Sequence, residues 1–190
     1  MDGLERGDGV TRTIGWISTI AGWIAATMIV VAVAITCQMI FVRFVLNSST
    51  VWQTEMVIYL VISATLVGLP YVQKLRGHVN VDLIPIALPP GPRRAMFYCT
   101  LSASTLIIAI MTFYGAEFWY TAWSRGWRSD TVWGVRLWIP YLSIPVGFGL
   151  LALQMISDVW AVAKGYDKPF GLPDKDPLAA RAASAAEGGH

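Results

Sequence analysis

Charge is what this chain has least of. Of its 190 residues, 14 are Lys or Arg and 12 are Asp or Glu, so charged residues make up 14%, about half the roughly 25% of an ordinary soluble domain. With 55% strictly apolar residues and a mean hydropathy of +0.55, too little polar surface remains to cover a soluble fold, which argues against a free cytosolic enzyme or a nucleic-acid binder. Histidine is scarce too: His78 and His190 are the two it has. Both fall outside the long apolar stretches, which argues against a haem-bearing electron carrier. The net charge of +2 decides little.

What is present is a set of four stretches without Asp, Glu, Lys, Arg or His: Thr13 to Val42 (30 residues), Met56 to Gln73 (18), Ala95 to Ala116 (22) and Leu137 to Ser157 (21). A helix rising 1.5 Å per residue crosses a hydrocarbon core of about 30 Å in about 20 residues. Each stretch reaches or approaches that length once its flanks are counted. Barrel strands alternate apolar and polar residues over about ten positions, whereas Met28 to Ile35 is continuously apolar. The expectation is an all-α integral membrane protein with four transmembrane helices at about 14–43, 54–73, 95–118 and 137–160. A cytoplasmic segment over 1–12 precedes this membrane domain of 13–163, and a mobile, proline-bearing tail over 164–190 follows it. The first stretch is too long for a signal-peptide core and lacks a basic leader, so it is expected to be retained.

Basic residues orient the spans. Arg6, Arg12, Lys74, Arg76, Arg93, Arg94, Lys164, Lys168, Lys175 and Arg181 fall on one side, and Arg43, Arg125, Arg128 and Arg136 on the other. This asymmetry predicts both termini in the cytoplasm and two outer loops, at about 43–55 and 117–136. Tryptophans mark the same boundaries, with Trp52, Trp119, Trp123, Trp127, Trp133 and Trp138 outside and Trp16 and Trp160 inside. The inner stretch from His78 to Leu88, closed by Pro89, Pro90, Gly91 and Pro92, suits a segment lying along the membrane face.

A chain that moves ions through its own centre ordinarily carries an ionisable group near the midplane. Glu55, Glu117 and Asp158 stand at the edges of the apolar stretches instead, which argues against a self-sufficient proton-coupled exporter. Cys37 and Cys99 are expected at depths differing by roughly 15 Å from the helical rise, beyond the roughly 7 Å reach of a disulfide. Both are therefore read as core packing. His78 and Asp82, four apart, could share a helical face, but two ligands do not make a metal site. Gly22 with Ala26, Ala64 with Gly68, and Ser143 with Gly147 are spaced to let helices approach closely. Pro70, Pro140 and Pro145 are expected to bend or cap their spans.

The joint between the first two spans is the most specific region. Arg43 and Phe44, then Asn47, then Trp52 and Glu55 lead into the second span, and Arg76, Gly77, His78, Val79, Val81 and Asp82 follow it. In these residues, from about Ile14 to Ala163, the chain resembles the small membrane subunit of tripartite ATP-independent periplasmic (TRAP) transporters, the DctQ type. It departs from that pattern in having Thr54 before a single Glu55, where the family often has two adjacent acids.

The resemblance implies a scaffold for a large multi-span membrane subunit and a contribution to docking a periplasmic substrate-binding protein, during sodium-coupled uptake of a small organic anion or related solute. It implies no enzyme activity. No cofactor is expected in this chain, with sodium coupling assigned to the partner subunit, and the location is the bacterial or archaeal inner membrane. Structural or partner-contact candidates are Arg43, Asn47, Trp52, Glu55, Gly68, Arg76, His78, Asp82, Arg125 and Arg128. Three roles are expected among them: an Arg43–Glu55 pair fixing the first two spans, a basic aromatic surface on the outer loop with Arg125, Arg128 and Arg136, and a His78–Asp82 brace on the inner loop. The alternative is a small membrane anchor subunit of a redox or lipid-modifying enzyme complex.

Overall fold

The computed structural model describes residues 9–75 and 90–164. Within them the chain forms α1 (Gly9–Phe44), α2 (Val51–Lys74), α3 (Pro90–Ser124), a single turn α4 (Trp138–Tyr141) and α5 (Ser143–Ala163). Helices α1, α2, α3 and the α4–α5 unit are each long and apolar enough to cross a membrane. The molecule is an all-α protein with four transmembrane helices. At 36 and 35 residues, α1 and α3 would extend about 54 and 52 Å at 1.5 Å per residue, more than the hydrocarbon layer requires. They start earlier than the apolar stretches alone predict; at the head of α3, Pro90 suits the first helical position, where its missing N–H would have no helical partner.

Helices α1 and α3 run one way and α2 and α5 the other. The main contacts are α1 with α2, α2 with α5, and α3 with α5. The start of α1, the end of α2 and the end of α5 meet at one end of the bundle; the loop between α3 and α4 closes the other. Small side chains line the seams. In α1 the buried positions are Gly15, Ser18, Ala21, Ala25 and Ala32, spaced by three, four and seven, so they share one face. In a bilayer the lipid tails are as apolar as leucine. Helices therefore gain by approaching closely and pairing polar groups rather than by hiding large apolar side chains. The large ones point outwards, among them Trp23 at 73% exposure and Val30 at 68%.

The same reasoning corrects the reading of the cysteines. Cys37 and Cys99 are both exposed on the helix surfaces rather than packed in the core. An apolar thiol gains nothing by leaving a lipid-facing surface.

The small-residue spacings mark contacts, though not always as pairs. A Cβ on Gly22 would stand 2.5 Å from the Tyr71 ring, and one on Gly68 3.3 Å from Ala25 Cβ. Ala64 is buried, whereas Ala26, the partner expected for Gly22, is exposed. Ser143 and Gly147 are both buried, and Gly147 faces the Leu66 carbonyl across the α2–α5 seam.

Proline acts differently in α2 and in the last span. Pro70 is buried inside a continuous α2. The last span is divided, with α4 ending at Tyr141 and α5 starting at Ser143. Pro145 cannot donate to the Tyr141 carbonyl, and its ring crowds that turn. The Ser143 hydroxyl donates to the Pro140 carbonyl at 2.6 Å, giving that oxygen a local partner across the break.

Candidate functional site: a polar girdle and an arginine-bearing hairpin

At the end of the bundle that holds the start of α1, polar side chains bind one another across three helices. The Ser18 hydroxyl of α1 donates to Gln154 Oε1 of α5 at 2.7 Å. Gln154 Nε2 donates to Asp158 Oδ1 one turn on, at 2.9 Å. Gln73 Nε2 of α2 donates to the other carboxylate oxygen, Asp158 Oδ2, at 3.0 Å. Beside this chain, the Lys74 ammonium donates to the Gly15 carbonyl at 2.9 Å and to the Thr19 hydroxyl at 2.7 Å. Ser18 and Gln154 are 2% and 5% exposed, so their bond is shielded from water, where an unpaired amide would be costly; the part-buried bonds of Gln73, Lys74 and Asp158 extend the set across α1, α2 and α5.

The other end of the bundle is closed by the loop after α3. That helix stops in a Schellman arrangement. Gly126, at φ +62°, donates its N–H to the Trp123 carbonyl, and Trp127 donates to Ala122. Glycine accepts the left-handed backbone that this terminator needs.

The chain then doubles back in a short antiparallel hairpin. The Ser129 N–H donates to Val135 at 2.9 Å, the Leu137 N–H to Trp127 at 3.0 Å, and the Gly134 N–H closes the turn on Thr131 at 3.0 Å. Arg128 and Arg136 form the bridge pair between these bonds. The hairpin is fixed to the start of α2 by two contacts: the Ser129 hydroxyl donates to Glu55 Oε1, and the Trp133 and Trp52 rings meet edge to face at 6.4 Å. The Trp119 indole N–H donates to the Trp138 carbonyl at 3.1 Å, tying α3 to α4.

Arg43 is exposed in the last turn of α1. Among the described residues it makes no ion pair with Glu55, whose carboxylate engages Ser129 instead. Glu55 Oε2 and Gln53 Oε1 are buried without a hydrogen-bond partner among the described residues. Asn47 takes φ +48° just beyond α1, a left-handed conformation that asparagine tolerates better than most residues, so it turns the chain towards α2.

Trp52 and Glu55 receive the hairpin. Gly68 is the close-approach point to α1. Arg125 and Arg128 are exposed on the loop. Arg76, His78 and Asp82 lie outside the described residues. The structure brings Trp52, Glu55 and the Arg128 loop together, and leaves Arg43 and Gly68 separate from them.

Sequence reasoning missed the girdle. Its signal was legible: Gln154 and Asp158 stand four apart at the end of an otherwise apolar span, the spacing at which two helical side chains meet. It missed Ser129 as well, because nothing local ties a loop serine to a glutamate 74 positions earlier.

A family model described as tripartite ATP-independent periplasmic transporters, DctQ component, matches residues 32–165, more than half of the chain. The chain belongs to this family. Among curated proteins it is similar to the ectoine TRAP transporter small permease protein TeaB of Halomonas elongata, 24% identical over 152 residues and covering 78% of each chain. It is also similar to the C4-dicarboxylate TRAP transporter small permease protein DctQ of Vibrio cholerae, 23% identical over 69% of this chain and 66% of that one. The protein of the same name from Rhodobacter capsulatus is 27% identical over 66% of this chain and 53% of that one. No solved structure gives a significant match. This TRAP small permease is thus a transporter component rather than an enzyme, and a multi-pass inner-membrane protein. Family membership implies a large TRAP subunit and a binding protein as its partners, and sets aside the enzyme-anchor alternative.

Proposed function

We propose that this chain is the fixed scaffold of a TRAP transporter: it holds the large membrane subunit in the bilayer and contributes the surface on which the periplasmic binding protein docks. Both termini face the cytoplasm, so the hairpin between α3 and α4 faces the periplasm, in line with the basic-residue asymmetry. Sodium coupling and the substrate site belong to the large subunit. The cargo is a small organic anion or related solute, a range that takes in the ectoine and C4-dicarboxylates named for the relatives.

The polar girdle carries this reading. Ser18, Gln154, Asp158 and Gln73 bind one another, so the strongest polar groups between these helices fix the helices' mutual angles. Groups committed in this way suit a rigid support and not a route along which a solute or ion must be bound and released.

Co-expression of a tagged chain with its neighbouring transporter genes, followed by purification in mild detergent, tests the proposal. A large multi-span subunit should be retained, and uptake should be lost when the small chain alone is deleted. Uptake by the large subunit and binding protein without this chain would overturn it. Labelling of single cysteines at positions 130 and 10 by an impermeant reagent tests the orientation, with position 130 expected to react from the periplasm.

A further inference from the structure

The hairpin places two like charges side by side. Its hydrogen bonds, Ser129 to Val135 and Leu137 to Trp127, flank the Arg128–Arg136 bridge in the pattern of a non-hydrogen-bonded antiparallel pair. That is the arrangement in which facing residues stand closest, with Cβ atoms about 4.5–5.5 Å apart on the same face. Like charges directly opposite each other are unfavourable. Here they are held by the backbone bonds, by Ser129 on Glu55 and by Trp133 on Trp52.

Both arginines are exposed, as is Arg125 just before them, while Asp130 is the one acid between Arg125 and Arg136. Val132, in the turn between the two arginines, is 97% exposed. Because the hairpin rests on the first turns of α2, this surface sits at the end of the bundle.

We infer that Arg128 and Arg136 form a paired guanidinium reader for neighbouring carboxylates on the periplasmic binding protein, with Val132 as an exposed apolar contact at the hairpin tip. The inference rests on the scaffold reading above and deepens it. A guanidinium binds a carboxylate through two parallel N–H donors. An acidic pair would therefore relieve the repulsion that the hairpin holds in place, so the partner's charge is what the arrangement best accommodates. Anionic lipid headgroups are the competing occupant. Vesicles of varied anionic-lipid content separate that occupant from the binding protein.

The test uses the complete transporter in lipid vesicles, titrated from outside with its own soluble binding protein purified with its natural ligand bound. Arg128→Glu and Arg136→Glu should each raise the binding-protein concentration for half-maximal uptake by about tenfold or more and weaken its salt dependence, since charge at an interface rim chiefly sets association. The maximal rate should hold. Arg12→Glu, at the opposite end, should change neither. Because Arg128 and Arg136 are exposed, retention of the large subunit by each variant serves as the folding control.

Unchanged half-maximal concentrations in both reversals overturn the inference. So does a loss that follows the anionic-lipid content of the vesicles rather than the binding-protein concentration. Failure of the wild-type chain to retain the large subunit would overturn the scaffold reading itself, a result distinguishable from either of these.

Discussion

Gly147 meets the backbone carbonyl of Leu66: a Cβ built on the glycine would lie 2.6 Å from that oxygen and 2.7 Å from its carbon. The carbonyl belongs to the turn that Pro70 leaves incomplete. Proline has no N–H to return to the residue four positions earlier, so Leu66 lacks its helical donor and α5 packs directly against it. A proline in one span and a glycine in another thus serve one contact.

Replacing Gly147 should therefore be severe. The obstacle is backbone, which cannot rotate away as a side-chain tip can. Gly147→Val should destabilise the bundle by about 3 kcal/mol or more, at or above the upper end of ordinary overpacking. Thermal unfolding in detergent would show this as a large fall in Tm, while Gly149→Ala, with only a 3.7 Å contact to Thr112, should change it little.

The girdle predicts a graded series. Gln154→Leu removes the acceptor of Ser18 and one donor to Asp158, and should cost about 1–3 kcal/mol, given roughly 0.6–2 kcal/mol per interhelical hydrogen bond in a membrane. Ser18→Ala breaks one bond and should cost less. A double mutant falling short of the sum of the two, measured by unfolding in mild detergent, is the expected sign that they share one network.

Asn47 supplies a conformational test. At φ +48°, a β-branched residue is strained, so Asn47→Val should lower stability by about 1–2 kcal/mol, the cost of the left-handed region, whereas Asn47→Gly should be close to neutral. Paired melting curves decide between this and a side-chain role, which both substitutions would abolish equally.

The Glu55–Ser129 bond predicts a local effect. Ser129→Ala removes the donor to Glu55 Oε1 beside the unpartnered Oε2, at about 1–3 kcal/mol for the unmet group. The hairpin over 127–137 should then open more often, with faster amide exchange at Ser129 and Leu137 and little change within α1. Uniform exchange across the molecule would instead point to global destabilisation.

Much of the architecture could be read from residue order. The four apolar stretches, the clustered tryptophans and the Arg43, Asn47, Trp52 and Glu55 series all announced helices and their ends. The hairpin surface was less legible, since Arg125, Arg128 and Arg136 could be grouped as basic residues of one loop while the cross-strand pairing of Arg128 with Arg136 could not. A bridge pair is created by the register of a hairpin, and register depends on the Gly126 and Gly134 backbone together with the anchors on α2.

The sequence by itself determined that the chain crosses a membrane four times, because the cost of placing charge in hydrocarbon acts on each stretch separately. Only the tertiary structure decided which polar groups face one another. It turned Gln73, Gln154 and Asp158 into a girdle, gave Glu55 to Ser129 rather than Arg43, and left the cysteines facing outwards. Those choices depend on how helices rotate about their axes when packed, and rotation is set by the close approach of small residues and by hydrogen bonds that form across the seams.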